Sequence, residues 1–154
     1  MESKLLFKRA KESEYQTFIY LEKIVSHNYT YSAILEIKEA KKEIKSNEVY
    51  FIYKDKQLVG SVEFCEKNKK GYVSGLVVDP KFQGQGIAKE AIKFVLKKMK
   101  DLKIIWLVTH PHNTNAIKIY LSFGFIIKGW KDNYFGDGQP RIVLEKTNIL
   151  KKIR

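Results

Sequence analysis

Two closely spaced glycines follow a run of apolar residues and could bind a phosphate group. Residues 77–88 read VVDPKFQGQGIA, and the apolar run ends at an Asp-Pro pair. Because Gly84 and Gly86 carry no side chain, a ligand can lie directly against the backbone there. Free amides at the start of a following helix would suit an anion. The stretch therefore predicts a strand, a phosphate-binding turn and a helix, with an ordinary strand-to-helix turn as the alternative.

Two common nucleotide-binding motifs do not fit this stretch. It lacks the Gly-Lys-Ser/Thr end of a P-loop, and it lacks the third glycine of the dinucleotide fingerprint. The glycines alone therefore leave the phosphate ligand open.

A second pair of polar residues lies on a segment with helical periodicity. Asn113 and Tyr120 are seven residues apart, which is two helical turns. Their side chains are therefore expected on nearly the same face, about 10.5 Å apart along the axis. Ala116 lies between them and is small enough to let a ligand pass. Alternatively, Tyr120 packs in the core and Asn113 caps the helix.

Together the two segments resemble the GNAT superfamily of acyl-CoA-dependent N-acetyltransferases. The residues QGQGIA at 83–88 are similar to that family's Gln/Arg-x-x-Gly-x-Gly/Ala signature. The residues NTNAIKIY at 113–120, followed by Gly124 and Phe125, are similar to its Asn-x-x-Ala-x-x-x-Tyr…Gly-Phe segment. The resemblance covers residues 58–125 and implies an N-acetyltransferase that uses acetyl-CoA, releases coenzyme A and needs no metal.

The resemblance also implies where acyl-CoA would bind. It would lie in an opening of the sheet between the strands at 72–78 and 103–109. The backbone of residues 76–78 would pair with the pantetheine arm, and the amides of residues 84–89 would hold the pyrophosphate. Asn113 would bond the pantetheine region, and Tyr120 would point at the thioester sulfur. The implied cofactor-binding residues are Leu76, Val77, Val78, Gln83, Gly84, Gln85, Gly86, Ile87, Ala88, Lys89, Asn113, Ala116 and Tyr120.

The chemistry of this family assigns Tyr120 as the general acid. An amine would attack the acetyl carbonyl directly in a ternary complex, with the carbonyl polarised by the backbone amide near Val78. A phenol beside the departing thiolate can donate a proton to it. The general base stays open, because Tyr72 and Val108 stand where some family members carry a glutamate. The remaining candidates for the base are Glu63, His110 and His112.

The acceptor is expected to be a small-molecule amine or the α-amine of a peptide N-terminus. A lysine-type amine with a pKa of about 10.4 costs about 4 kcal/mol to deprotonate near neutral pH, whereas an α-amine costs under about 1 kcal/mol. By the resemblance, the first two helices and the final hairpin shape the acceptor pocket. Its candidate residues are Tyr29, Tyr31, Trp130, Tyr134 and Arg141, the last as a partner for a carboxylate. The alternative function is a non-catalytic acyl-CoA-binding regulatory or partner-binding module on the same fold.

These residues require a sheet with helices around it, and the apolar periodicity predicts one. Strands are expected at 4–9, 48–53, 57–66, 72–78, 103–109, 125–130 and 141–146, and helices at about 13–25, 33–45, 87–99 and 113–123. This order is typical of an α+β or mixed α/β domain. With the resemblance, it predicts a single domain over residues 1–154, built on a twisted, mostly antiparallel sheet of about seven strands. That sheet is expected to splay at the cofactor site and to be flanked by about four helices.

Composition limits the partners of the chain. The 154 residues carry a net charge of +12, nearly all from lysines spread along the chain rather than interleaved with aromatics. No nucleic-acid surface is therefore expected, although the positive electrostatic field of these lysines would favour a polyphosphate ligand. No apolar run is long enough for a membrane span, the N-terminus lacks a signal-peptide pattern, and the single cysteine, Cys65, cannot form an intramolecular disulfide. We therefore expect a cytoplasmic monomer or homodimer without a membrane partner.

Overall fold

The computed structural model describes residues 4–148, and within this range a mixed sheet is flanked by helices. Its seven strands are β1 (Leu5–Arg9), β2 (Glu48–Lys54), β3 (Gln57–Lys67), β4 (Lys70–Val78), β5 (Ile104–Thr109), β6 (Ile126–Lys131) and β7 (Arg141–Thr147). Its four helices are α1 (Tyr15–Val25), α2 (Ile37–Ser46), α3 (Ile87–Lys98) and α4 (Thr114–Ser122). The expected fold class is confirmed. None of these helices is long and apolar enough to cross a membrane.

The strands follow the order β1-β2-β3-β4-β5-β7-β6, and every neighbouring pair is antiparallel except β4 with β5. A two-residue turn at Asp55 and Lys56 joins β2 to β3, and one at Asn68 and Lys69 joins β3 to β4. All four turn residues have positive φ, as a tight hairpin between twisted strands requires. These hairpins fix the register of the three strands that carry the site.

The sheet has a hydrophobic core on each face, because alternate side chains of a strand point to opposite sides. On β2, Tyr50 and Ile52 pack in one cluster with α3 and α4. Val49 and Phe51 pack in a second cluster with α1 and α2. The helix pair α1 and α2 therefore covers the face opposite to α3 and α4.

The second helix starts later than the sequence periodicity predicts. It was expected from residue 33, whereas α2 begins at Ile37. The preceding segment is tied to α1 instead, because the backbone N–H of Ile34 and the hydroxyl of Tyr31 both donate to the carboxyl of Glu22, at 3.1 and 2.6 Å. These bonds keep residues 31–34 out of the helix and bring them over the sheet.

Candidate active site

The sheet opens between β4 and β5. These parallel strands pair only at Gly71 with Ile105 and at Tyr72 with Trp106, where the two aromatic rings lie 4.3 Å apart between centroids. Beyond Tyr72 the strands diverge, and β5 continues its pairing with β7 on its other side. The edge of β4 from residue 73 to 78 therefore faces the opening without a strand partner in the described chain. The predicted splay is confirmed.

The glycine turn follows this open edge directly. The carboxylate of Asp79 accepts a hydrogen bond from the backbone N–H of Lys81 at 3.0 Å and so shapes a short 3-10 turn over residues 80–82. Gly84 and Gly86 then adopt φ values of 79° and 81°, and Gly86 caps the start of α3. A Cβ atom added at either glycine would meet no heavy atom within 4 Å. The turn thus leaves free space beside its backbone.

The first turn of α3 offers hydrogen-bond donors toward this space. The first bond of the helix runs from the N–H of Glu90 to the carbonyl of Gly86, at 3.1 Å. The N–H groups of residues 87–89 lie before it and have no acceptor within the helix. A cation is also near, since Nζ of Lys54 on β2 donates to Oε1 of Gln85 at 2.7 Å. Open backbone, helix amides and a lysine together suit a phosphate.

The helix α4 brings Asn113 and Tyr120 to the same opening. Asn113 stands at the start of α4, and its Nδ2 donates to Oγ1 of Thr109 at 3.3 Å. Tyr120 lies two turns later, is almost fully buried and packs edge-to-face on Phe125. Burial raises the pKa of Tyr120 to about 12. Ala116 lies between them, packed against the core.

A cleft of about 550 Å³ joins this opening to the face covered by α1 and α2. Its walls come from β3, β4 and β5, from α1, α2 and α4, and from the segment between α1 and α2. Among the predicted site residues it is lined by Glu63, Leu76, Asn113, Tyr120, Tyr31 and Arg141. The structure therefore brings part of the expected donor site and part of the expected acceptor site together in one cleft.

Four glutamates line this cleft, of which the exposed Glu66 is set apart from Glu22, Glu43 and Glu63, and sequence reasoning had selected only Glu63. Glu22 comes from α1, Glu43 from α2 and Glu63 from β3. Glu22 and Glu63 are 1% and 2% exposed. The missed signal is helical position: Glu22 shares the buried face of α1 with Phe18 and Leu21. An acid on an apolar helix face is a candidate for a functional site, because burial of a charge is costly.

The environment of Glu63 disfavours its ionised form. Burial and the nearby carboxyls of Glu22 and Glu43 raise its pKa well above the usual value. Opposite Glu63 in the β3–β4 register stands Gly75, and a Cβ there would lie 2.7 Å from Oε2 of Glu63. The glycine is thus needed to make room for the carboxyl. Oε1 of Glu63 has no hydrogen-bond partner among the described residues.

Glu22 is the better-bonded member of the group. Burial, the largest influence, raises its pKa to about 7, although the hydrogen bonds from Tyr31 and Ile34 oppose this shift. Glu43 accepts a hydrogen bond from Oγ of Ser74 at 3.2 Å and shares a side-chain hydrogen bond with Glu63. The three carboxyls thus differ in how fully their oxygens are bonded.

His110 and His112, the two histidines considered as the general base, do not line the cleft. His110 is buried, its Nε2 lies 2.8 Å from Oε1 of Gln139, and its Nδ1 accepts from the backbone N–H of His112 at 3.0 Å. Nδ1 of His112 lies 2.9 Å from the hydroxyl of Tyr29. This network links the segment after α1 to the start of α4, beside the cleft.

Of the remaining candidates for the acceptor pocket, some line the cleft and others do not. Arg141 lines the cleft but is already engaged, since it donates to Oδ2 of Asp137 at 2.9 Å and to the carbonyl of Pro140 at 3.1 Å. Tyr29, Tyr134 and Trp130 are not among the lining residues. Trp130 is 56% exposed, and its Nε1 donates a hydrogen bond to Oδ1 of Asp132 at 2.8 Å.

The sequence matches the model of the "Acetyltransferase (GNAT) family" over residues 13–125. It is 32% identical over 75 residues to a spermine/spermidine N(1)-acetyltransferase from Bacillus subtilis, covering 46% of this chain and 49% of the relative. It is 36% identical over 62 residues to a [ribosomal protein bS18]-alanine N-acetyltransferase from Haemophilus ducreyi, covering 39% of this chain and 43% of the relative. The chain thus spans about half the length of the curated relatives it matches.

Solved structures share the fold at lower identity. The ribosomal-protein-S18-alanine N-acetyltransferase of Escherichia coli superposes with a TM-score of 0.78 at 15% identity, over 97% of both chains. A ribosomal L7/L12 alpha-N-protein acetyltransferase in complex with coenzyme A superposes with a TM-score of 0.76 at 16% identity, over 95% of both chains.

Proposed function

This chain belongs to the acetyltransferase (GNAT) family, and we propose that it transfers the acetyl group of acetyl-CoA to an amine. The observation that carries the proposal is the unpaired edge of β4, which opens onto a cleft shared with Tyr120. A glycine turn with free helix amides follows that edge directly. Donor and acceptor could therefore meet in one cleft, as direct transfer requires.

The residues present fit acetyl-CoA, which would supply an acetyl group activated as a thioester. The open edge of β4 at residues 76–78 would offer backbone donors and acceptors to the amide-bearing pantetheine arm, and Nε2 of Gln83 already donates to the carbonyl of Val78 there at 3.4 Å. The glycine turn at 83–86 and the amides of residues 87–89 suit the pyrophosphate, and Asn113 stands beside the opening. The free space at Gly84 and Gly86 supports this assignment, because a side chain there would occupy the place of the phosphate.

Tyr120 is proposed as the general acid. Its raised pKa, about 12, keeps the phenol protonated at neutral pH. It can therefore donate a hydrogen bond or a proton to the sulfur that departs when the amine attacks. The buried environment also strengthens that interaction.

Glu63 is the proposed general base. Of the three candidates it is the one that lines the cleft, whereas His110 uses both ring nitrogens in hydrogen bonds outside it. A carboxyl with a raised pKa has a proton affinity nearer to that of an amine, which favours proton transfer. It would accept a proton from the acceptor's ammonium group, directly or through water, and so leave the neutral amine whose lone pair attacks the acetyl carbonyl.

The acceptor is a primary amine, either of a small molecule or of a peptide N-terminus. Relatives named for spermine and spermidine and relatives named for a ribosomal-protein alanine support both classes.

The direct test is release of coenzyme A thiol from acetyl-CoA in the presence of amines. We expect acceptor-dependent release with aliphatic amines or with peptides that have a free N-terminus. Tight binding of acetyl-CoA without release across both groups would instead indicate a non-catalytic acyl-CoA-binding module.

Substitution of Tyr120 tests its role in that assay. Tyr120→Phe should lower kcat about 100-fold, because general acid catalysis contributes at least that much, while the KM for acetyl-CoA changes little. The matched control is Tyr20→Phe, which removes an exposed hydroxyl on α1. An unchanged kcat in Tyr120→Phe would remove this residue as the acid.

A further inference from the structure

Glu22, Glu43 and Glu63 lack a cationic partner in the described part of the chain. The ion pairs found there are Arg9 with Glu48, Lys93 with Glu90 and Arg141 with Asp137. Two cations do line the cleft, but Arg141 is held by Asp137, and among the described residues no ion pair joins Lys67 to Glu22, Glu43 or Glu63. Buried carboxyls without such a partner stay protonated or await a cationic ligand.

One carboxyl oxygen points specifically to a ligand that donates hydrogen bonds. Oε1 of Glu63 is fully buried, lines the cleft and has no partner among residues 4–148. A buried acceptor left unbonded is costly, and an ammonium group offers three donors. The position is also built, because Gly75 opposite leaves the space that the carboxyl occupies.

One ammonium group does not balance the negative charge that the carboxyls of this site can carry. The reacting amine of any acceptor brings one positive charge, and Glu63 would take its proton. Glu22 on α1 and Glu43 on α2 then still line the same cleft. Their charges reach Glu63 and each other, so the three carboxyls form one electrostatic unit. A second positive charge on the acceptor would satisfy them.

Resting on the proposed function, we propose that Glu22 and Glu43 form a subsite for a second ammonium group of the acceptor. The acceptor is then a diamine or polyamine, with one amine near Tyr120 and Glu63 and another between α1 and α2. Tyr31 assists, because its hydroxyl holds the carboxyl of Glu22 in place at 2.6 Å. A monoamine, or a peptide with one N-terminal charge, leaves this subsite unfilled.

The first experiment compares putrescine with butylamine, which has the same carbon chain and one amine fewer. With saturating acetyl-CoA near neutral pH, kcat/KM for putrescine should exceed that for butylamine at least tenfold. Propanediamine and cadaverine would then show which spacing the subsite prefers. Equal kcat/KM values for putrescine and butylamine, or a higher value for an alanine-initiated peptide, would overturn the proposal.

The second experiment removes the charges of the subsite. Glu43→Gln and Glu22→Gln should each reduce the putrescine-to-butylamine ratio about tenfold. Glu39→Gln, which removes an exposed carboxylate from the same helix as Glu43, should leave the ratio unchanged. A ratio that stays high in both cleft variants would contradict the subsite.

A binding measurement separates this proposal from the proposed function. Calorimetric titration of putrescine into the protein with coenzyme A should give a dissociation constant at least tenfold lower than that of butylamine, and Glu43→Gln should abolish the difference. If butylamine is acetylated and putrescine has no advantage, the subsite is wrong and the transferase stands. If no amine is acetylated but putrescine binds selectively, the transferase is wrong and the subsite stands.

Discussion

Burial raises the pKa of two carboxyls in the cleft, those of Glu22 and Glu63. Glu22 has its carboxyl among apolar neighbours on α1, and its pKa of about 7 reflects the cost of holding a charge there. Its carboxyl therefore changes charge within the range of pH in which an amine acetyltransferase would work. A cation bound nearby would favour the ionised form.

This shift predicts a pH-dependent stability. A carboxyl whose folded-state pKa exceeds the unfolded value near 4.5 stabilises the fold fully below pH 4.5, and this contribution is lost as the pH rises through about 7. Glu22→Gln cannot ionise and should not show this loss. Relative to the variant, the wild-type protein should therefore lose up to about 3 kcal/mol of unfolding free energy between pH 4.5 and 8.

Urea unfolding of both proteins at several pH values measures this difference. Glu39→Gln serves as the control, because its carboxylate is exposed and its effect should not depend on pH in this way. A constant difference between wild type and Glu22→Gln from pH 4.5 to 8 would show that Glu22 ionises normally in the folded protein.

At the scale of single residues, the sequence could identify site residues that lie at a fixed spacing from one another. The two glycines and the seven-residue step from Asn113 to Tyr120 are such patterns, and the structure places Asn113 and Tyr120 in one cleft with Glu63. Glu22 and Glu43 have no motif around them. Glu22 differs from other charged helix residues only by its place on the apolar face of α1, and Glu43 is distinguished only by its packing in the fold.

At the scale of elements, the unit from β4 through the glycine turn to α3 is set by backbone conformation. Gly86 has a φ of 81° where it caps α3, in a region that residues with a Cβ rarely adopt. No atom would obstruct a Cβ there, so a substitution would act through the backbone and through any ligand beside it. This combination makes Gly86 a clean probe of the turn.

Gly86→Ala should lower both stability and affinity for coenzyme A. The left-handed conformation costs a residue with a Cβ about 1–2 kcal/mol, and relaxation of this strain would turn the amides of residues 87–89 away from the phosphate. Calorimetry with coenzyme A and thermal unfolding give the two values. Gly129→Ala is the control, because that glycine lies in β6 with open space around it and without a positive φ. Normal coenzyme A affinity in Gly86→Ala would argue against a phosphate at the turn.

The elements themselves were predictable where the periodicity was strong, but their order in the sheet was not. The apolar runs of β4 and β5 indicated strands, and these strands are present. The insertion of β7 between β5 and β6 depends on contacts between distant residues, such as Ile105 with Lys146. The start of α2 depends on the bond from Ile34 to Glu22. Neither the strand order nor the start of α2 can be predicted from the local sequence pattern.

At the scale of the whole molecule, charge is divided between surface and cleft. The chain carries a net charge of +12, yet the candidate cleft contains three buried or half-buried glutamates. Exposed lysines create a positive field that would attract the phosphates of coenzyme A. Carboxyls inside the cleft act at short range, where a cationic acceptor would already be shielded from that field. One chain can therefore favour an anionic donor and a cationic acceptor at once.

This division predicts that salt weakens donor binding through the phosphates. Raising the ionic strength from about 0.05 M to about 0.5 M shortens the screening length several-fold, so the dissociation constant of coenzyme A should rise several-fold. Pantetheine, which lacks the phosphates, should bind with little dependence on salt.

Lys54→Met, beside the glycine turn, should weaken coenzyme A binding at low salt and reduce its salt dependence. Lys97→Met removes an exposed charge near the opposite end of α3 and should have a smaller effect. Equal effects of the two substitutions would mean that the overall field, rather than a contact at the turn, attracts the phosphates.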